Sequence, residues 1–279
     1  MYDYSLGLYE KAMPDSMTLE EKLLTAKRTG YDHMELCVDL EPSRQARLDW
    51  SKEERTHWRN FVYQHDIPMT TFSLSALRKI PLGLLDRSKN QESFEMIEKG
   101  AKLACDLGSR VMLINGYDVF DENSNPDTEA RFYENLPKAV AICEKYGIIM
   151  AIENAEKKFC DSVAKAARHV DFINSPYFKI YADCGNSANS VNGDTDMALY
   201  DLASGTGKIV AMHLKDTVPG EYRYTPYGKG HVDFKRNIGF IKKMGVRIFT
   251  AELFYRPDTD WEEEIIRVNK FLRGFFAED

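Results

Sequence analysis

Short apolar runs alternate with longer amphipathic stretches along the whole chain, and this alternation limits the fold more than any other feature. The runs are Tyr4–Tyr9, His33–Val38, Pro68–Leu74, Arg110–Gly116, Ile148–Asn154, Phe178–Asp183, Ile209–Lys215 and Arg247–Leu253. They are rich in Val, Ile, Phe, Tyr and Thr, and most are too apolar to leave one face in water. Strands of a parallel sheet covered on both faces read this way. Helical patterns at Thr18–Thr29, Ser51–Gln64, Gln91–Leu107, Glu129–Tyr146, Asp161–Ile173, Asp196–Ala203, Phe234–Lys243 and Asp260–Phe276 fill the intervals. Gly30, Gly108, Gly147 and Gly245 each stand between a helical pattern and the next run, where a left-handed residue commonly closes a helix. Eight strand–helix units of about 35 residues predict an α/β fold, a (β/α)8 TIM barrel forming a single domain over residues 1–279. A doubly wound sheet alternates too, but it wants a glycine-rich phosphate turn after an early strand. Neither GxGxxG nor a Walker-type GxxxxGK turn occurs.

Charge and composition narrow the partners. Lys+Arg 37 against Asp+Glu 44 gives a net charge of −7, the wrong sign for a phosphate-backbone binder, so no nucleic-acid partner is expected. No run approaches the ~20 apolar residues of a membrane span. The stretch Met1–Gly7 has neither the basic nor the apolar part of a leader, and a cytoplasmic protein is expected. Cys37, Cys105, Cys143, Cys160 and Cys184 are odd in number and not closely paired, which reads as reduced thiols.

The most loop-like segments, Val38–Trp50, Ser75–Asn90, Val119–Thr128 and Pro219–His231, all follow strands. In a barrel they gather at the C-terminal face, where such folds build their sites. Four strands end there in a potential metal ligand: Glu153, Asp183, His213 and Glu252, at intervals of 30, 30 and 39 residues. Three carboxylates and an imidazole are a hard donor set that suits one divalent ion, Mn²⁺, Mg²⁺ or Co²⁺, with Zn²⁺ also served. Without a cation the three anions repel, and one must take up a proton.

Several segments then resemble a known family. They are Leu6–Ala12 (LGLYEKA), Arg47–Ser51 (RLDWS), Leu74–Ala76 with Pro81–Gly83, Asn115–Val119 (NGYDV), His213–Thr217 (HLKDT), and Tyr227–Gly230 with Val232–Phe234. Over essentially its full length the chain resembles the L-ribulose-5-phosphate (L-xylulose-5-phosphate) 3-epimerases of the xylose-isomerase-like barrel superfamily. The resemblance implies that Glu153, Asp183, His213 and Glu252 are the metal ligands and that Glu153 and Glu252 are the catalytic pair. It departs at Leu77, where the family often has His, and at Lys229, where its glycine turn usually reads Gly-Glu-Gly.

Inverting a ketose at C3 means removing the proton beside the C2 carbonyl and returning one on the opposite face. Two carboxylates that alternate as base and acid around a cis-enediolate meet that need. Glu156 and Asn186, each three residues past a ligand, are candidates to bind substrate hydroxyls or orient ligands, as is Glu35 within the second strand. Lys215, Arg223, Lys229, Arg256 and Arg78-Lys79 are candidates for a substrate phosphate, and Tyr9, Phe72, Tyr117 and Phe254 for the pocket wall. His231 is a further candidate from the glycine-flanked loop. His33, His57, His65 and His169 read as structural. The implied partner is a phosphorylated ketopentose, and the superfamily implies a homodimer. The rival readings are a free-ketose 3-epimerase or aldose–ketose isomerase with the same metal site, a metal-dependent nuclease, which charge and histidine count disfavour, and a non-catalytic sugar-binding barrel.

Overall fold

A computed structural model describes residues 3–277. Eight parallel strands close into a barrel in sequence order: β1 Ser5–Tyr9, β2 His33–Cys37, β3 Thr71–Ser73, β4 Val111–Asn115, β5 Ile149–Glu153, β6 Phe178–Asp183, β7 Ile209–Leu214 and β8 Ile248–Ala251. The ring shuts where β1 pairs with β8, Gly7 opposite Thr250. The helices between them are α1 Leu19–Arg28, α2 Pro42–Gln45, α3 Lys52–His65, α4 Arg87–Leu107, α5 Pro126–Lys145, α6 Val163–Ile173, α7 Cys184–Ser190, α8 Thr195–Ala203, α9 Phe234–Lys243 and α10 Trp261–Phe276. Helix starts follow local chemistry. Thr18, Ser51 and Asn125 each cap a helix through a reciprocal box in which the cap and the third helical residue satisfy one another's backbone N–H groups.

Three boundaries and two short helices differ from the sequence reading. β3 is three residues, because Pro68 has no N–H for the ladder and contributes only its carbonyl, to Met34 N–H. α4 begins at Arg87 behind the Asp86 cap, and α5 at Pro126 behind Asn125, each earlier than its apolar periodicity begins. α2 lies inside a segment expected to be a loop, and α7 stands where no helix was expected. Neither has an amphipathic stripe.

The alternation of side chains along each strand divides the core in two. Leu8, Met34, Phe72, Met112, Ile152, Phe178, Met212 and Phe249 face outward and are fully buried under the helices. Inside the ring, Val111, Leu113, Ala151, Tyr181 and Ala211 form a separate apolar cluster. Across the ring the interior is polar: His33, Glu35, Thr71 and Thr250 are all fully buried. Gly7 makes room for this half. A Cβ there would lie 2.1 Å from the His33 imidazole.

His33 and His169 are buried, and desolvation pushes both imidazoles down to about 4. Between that value and the unfolded value near 6.5, the unfolded chain binds protons that the folded chain does not. Each histidine's contribution is therefore complete above pH 6.5 and declines as pH falls toward 4, by about 1.4 kcal/mol per pH unit. Other buried groups add slopes of their own, so the contribution is read by difference: in urea unfolding at pH 7, 6 and 5, His169→Gln should lose less stability on acidification than wild type. An unchanged slope in the variant would contradict the assignment.

Candidate metal centre and active site

Ala151, Tyr181, Ala211 and Thr250 point into the barrel. Two residues further along the same strand faces come Glu153, Asp183, His213 and Glu252. The register puts Asp183 directly beside His213, and Glu153 beside Tyr181. All four side chains are buried, and one ligand atom from each lies within 4.8 Å of the others. His213 Nδ1 is 2.8 Å from Glu153 Oε1, 4.0 Å from Asp183 Oδ2 and 3.9 Å from Glu252 Oε2.

Local structure fixes three of the four side chains. Asp183 caps α7, its Oδ1 accepting from Asn186 N–H at 2.8 Å, which leaves Oδ2 for the centre. Asn154 ties the ends of β5 and β6 together, accepting from Asp183 N–H and donating to the Asp183 carbonyl. Glu153 Oε2 accepts from Asn115 Nδ2 at 2.7 Å. His213 Nε2 is 2.8 Å from Glu35 Oε1. A ring nitrogen held by a carboxylate sets the tautomer and aims the other nitrogen at a metal.

The donor set fits a divalent ion. Asp183 Oδ2 and Glu252 Oε2 are buried and turned to the centre, and their counter-charge is Lys215, with Nζ at 2.6 Å and 2.8 Å. Burial, reinforced by Glu252 and Glu153, raises the Asp183 carboxyl well above the ordinary range. Burial also opposes ionisation of Glu252, but Lys215 and His213 outweigh it and hold that carboxyl low. Burial disfavours the charged form of His213, yet Glu35, Glu252 and Glu153 outweigh it and raise its pKa. Buried acids with divergent pKa values around one centre are the electrostatic signature of a functional site.

The remaining candidates divide. Lys215 is not a solvent-facing phosphate ligand. It is two residues past His213 on the same strand face, buried, and paired with two carboxylates. Asn186 is on α7 rather than in a solvated loop, and its Nδ2 donates to the Asn154 carbonyl, so it braces the ligands. Glu35 is fully buried beneath His213 and cannot reach a substrate hydroxyl. Glu156 remains at the mouth, accepting from Tyr117 Oη at 2.5 Å. Arg256 and Lys79 pair with Asp258 and Asp121. Arg223 lies over the Phe254 ring, whose edge meets Tyr9, and Arg78 over Phe120. His231 bonds Thr217 Oγ1 rather than the centre. Phe72 faces the outer core. Lys229 is exposed in a turn moored by Asp216, whose carboxylate accepts from the N–H groups of Gly228, Gly230 and Val232. Gly230 approaches so closely that a Cβ would lie 2.1 Å from Asp216 Oδ1.

A cleft of about 120 Å³ opens from Lys215 and Glu252 between the segments Tyr224–Tyr227 and Leu253–Arg256. Among the described residues no helix is long and apolar enough to cross a membrane.

Residues 23–274 match the family described as "Xylose isomerase-like TIM barrel". The chain is 35% identical over 273 residues to the L-ribulose-5-phosphate 3-epimerase UlaE of Escherichia coli (strain SMS-3-5 / SECEC), and 33% identical to that of Shigella sonnei (strain Ss046). Each match covers 98% of this chain and 95% of the relative. Its fold is similar to a solved L-ribulose 3-epimerase, with a TM-score of 0.81 at 15% identity, covering 98% of this chain and 94% of that one. It is similar also to the IOLI protein with a binding zinc atom, with a TM-score of 0.77 at 17% identity and 98% of both chains covered. By its barrel and by relatives that match nearly all of it, the chain belongs to the xylose isomerase-like TIM barrel family and is an isomerase of the epimerase kind, with a buried cluster of side chains that could hold a metal.

Proposed function

We propose that this enzyme interconverts L-ribulose 5-phosphate and L-xylulose 5-phosphate by inversion at C3, with Glu153 and Glu252 as its two proton-transfer groups. The observation that carries the reading is the convergence of two glutamates from strands β5 and β8 on one buried centre beside Asp183 and His213. One glutamate removes the C3 proton and the other returns a proton to the opposite face; the reverse reaction exchanges their parts. A divalent ion held by the four residues, when bound, offsets the negative charge that develops on the sugar oxygens. Asn115 holds Glu153 Oε2 and so leaves Oε1 as the working oxygen. Tyr117 and Glu156 offer a donor–acceptor pair at the rim for a sugar hydroxyl.

Arg78 and Arg223 are the best placed groups for the phosphate. Neither has a carboxylate partner among the described residues, and Arg78 Nε is buried without any hydrogen-bond partner. Arg78 lines a small cleft with Tyr117, and Arg223 lies over Phe254, which lines the cleft that opens from Glu252. A charge-assisted hydrogen bond contributes roughly 1.5–3 kcal/mol, so Arg78→Ala and Arg223→Ala should each lower kcat/KM on the phosphorylated ketose by on the order of 10-fold or more. Turnover of the free sugar should change little.

The deciding experiment incubates metal-loaded enzyme with L-ribulose 5-phosphate in deuterated water. Formation of L-xylulose 5-phosphate with deuterium at C3 is the expected result. Equal kcat/KM for the free and the phosphorylated sugar would instead favour a free-ketose 3-epimerase.

A further inference from the structure

The polar half of the barrel interior forms a continuous chain of hydrogen bonds that ends on the metal-facing imidazole. Ser5 Oγ is 2.8 Å from His33 Nδ1, and His33 Nε2 is 3.4 Å from Thr250 Oγ1. Thr250 Oγ1 is 3.0 Å from Tyr181 Oη, which donates to Glu35 Oε2 at 2.7 Å. Thr71 Oγ1 donates to the same oxygen at 2.7 Å, and Glu35 Oε1 meets His213 Nε2. With His213 counted, six strands contribute: β1, β2, β3, β6, β7 and β8.

Donor accounting gives the chain one direction. Tyr181 has a single hydroxyl proton and spends it on Glu35, so Thr250 must donate to Tyr181. That leaves Thr250 to accept from His33 Nε2–H, and His33 Nδ1 to accept from Ser5. A neutral, Nε2-protonated His33 is required, and its deep burial keeps it neutral. At the other end the Glu35 carboxylate has acceptors only, so His213 presents Nε2–H and turns Nδ1 toward Glu153, Asp183 and Glu252.

We infer that Tyr181, Thr250 and His33 are positioning residues for metal capture, because they lock Glu35 and through it the tautomer and tilt of His213. The inference rests on the reading that the quartet holds a divalent ion. Its test is Co²⁺ binding, with affinity measured by competition against a chelator and with the proton NMR spectrum of the loaded protein. The paramagnetic ion shifts the His213 Nε2–H resonance far from the rest, where its exchange with solvent is read directly. Wild type should bind Co²⁺ and show this proton protected. Tyr181→Phe and Thr250→Val should bind roughly 10-fold more weakly and exchange the proton faster, as expected when an outer partner of a ligand is lost. Thr250→Ser should restore both. A packing role alone would rank Val above Ser, since Val fills the site as well as Thr. Wild-type affinity and exchange in both Tyr181→Phe and Thr250→Val would overturn the inference. A wild type that takes up no Co²⁺ would overturn the metal reading beneath it. Tyr181→Phe keeps the aromatic ring in place, so the test stands even if Thr250→Val does not fold.

Discussion

Glu153→Gln and Glu252→Gln should each abolish epimerisation while retaining metal, and they should fail on opposite epimers. Glutamine keeps a carbonyl oxygen for the ion but cannot take up the proton, and a positioned base contributes about 10²–10⁴-fold. With one base lost, the survivor still removes and returns a proton on its own face. Each variant should therefore exchange the C3 proton of one epimer with solvent and leave the other untouched. Proton NMR of both epimers in deuterated water separates the outcomes. Near wild-type inversion by both metal-loaded variants would mean that a different residue moves the proton.

His213→Ala should lower affinity for the divalent ion by more than the roughly 10–100-fold that follows loss of an outer partner, and activity with it. His213 supplies the only nitrogen of the four-residue donor set. Removing it also leaves Glu35 buried without its imidazole partner, so some loss of stability accompanies the loss of metal. Elemental analysis after dialysis reads occupancy directly, and circular dichroism reads the fold. A folded His213→Ala that keeps a full complement of metal would falsify the ligand assignment.

Much of this arrangement is legible in the sequence because alternation is a local property. Eight apolar runs at nearly even spacing specify the barrel, and the polar residue at the end of a run marks the mouth. Lys215 follows from the same rule, since a residue two beyond His213 must share its face; its positive charge alone suggested a phosphate, whereas its place on the strand sets it beside the carboxylates. Glu35 and Tyr181 were harder. Glu35 interrupts a strand that otherwise reads as buried, which is a signal, but its partners His213 and Tyr181 lie 178 and 146 residues away in sequence. No pattern along the chain links them. α7 escaped for another reason: Cys-Gly-Asn-Ser is poor helix material, and the turn is held by the Asp183 cap rather than by periodicity.

The division of labour between the two halves of the barrel bears on how the protein assembles. The four proposed ligands stand at the ends of β5 to β8, whereas the Glu35 carboxylate that meets His213 stands on β2 and its partner Thr71 on β3. An intermediate that has paired only the C-terminal strands already carries all four donors with an imidazole free to spin. Tight metal capture then begins only when β1 pairs with β8 and brings β2 across the ring, a pairing between distant stretches of chain and so a late one. The onset of tight binding in a stopped-flow refolding trace is thereby a clock for barrel closure.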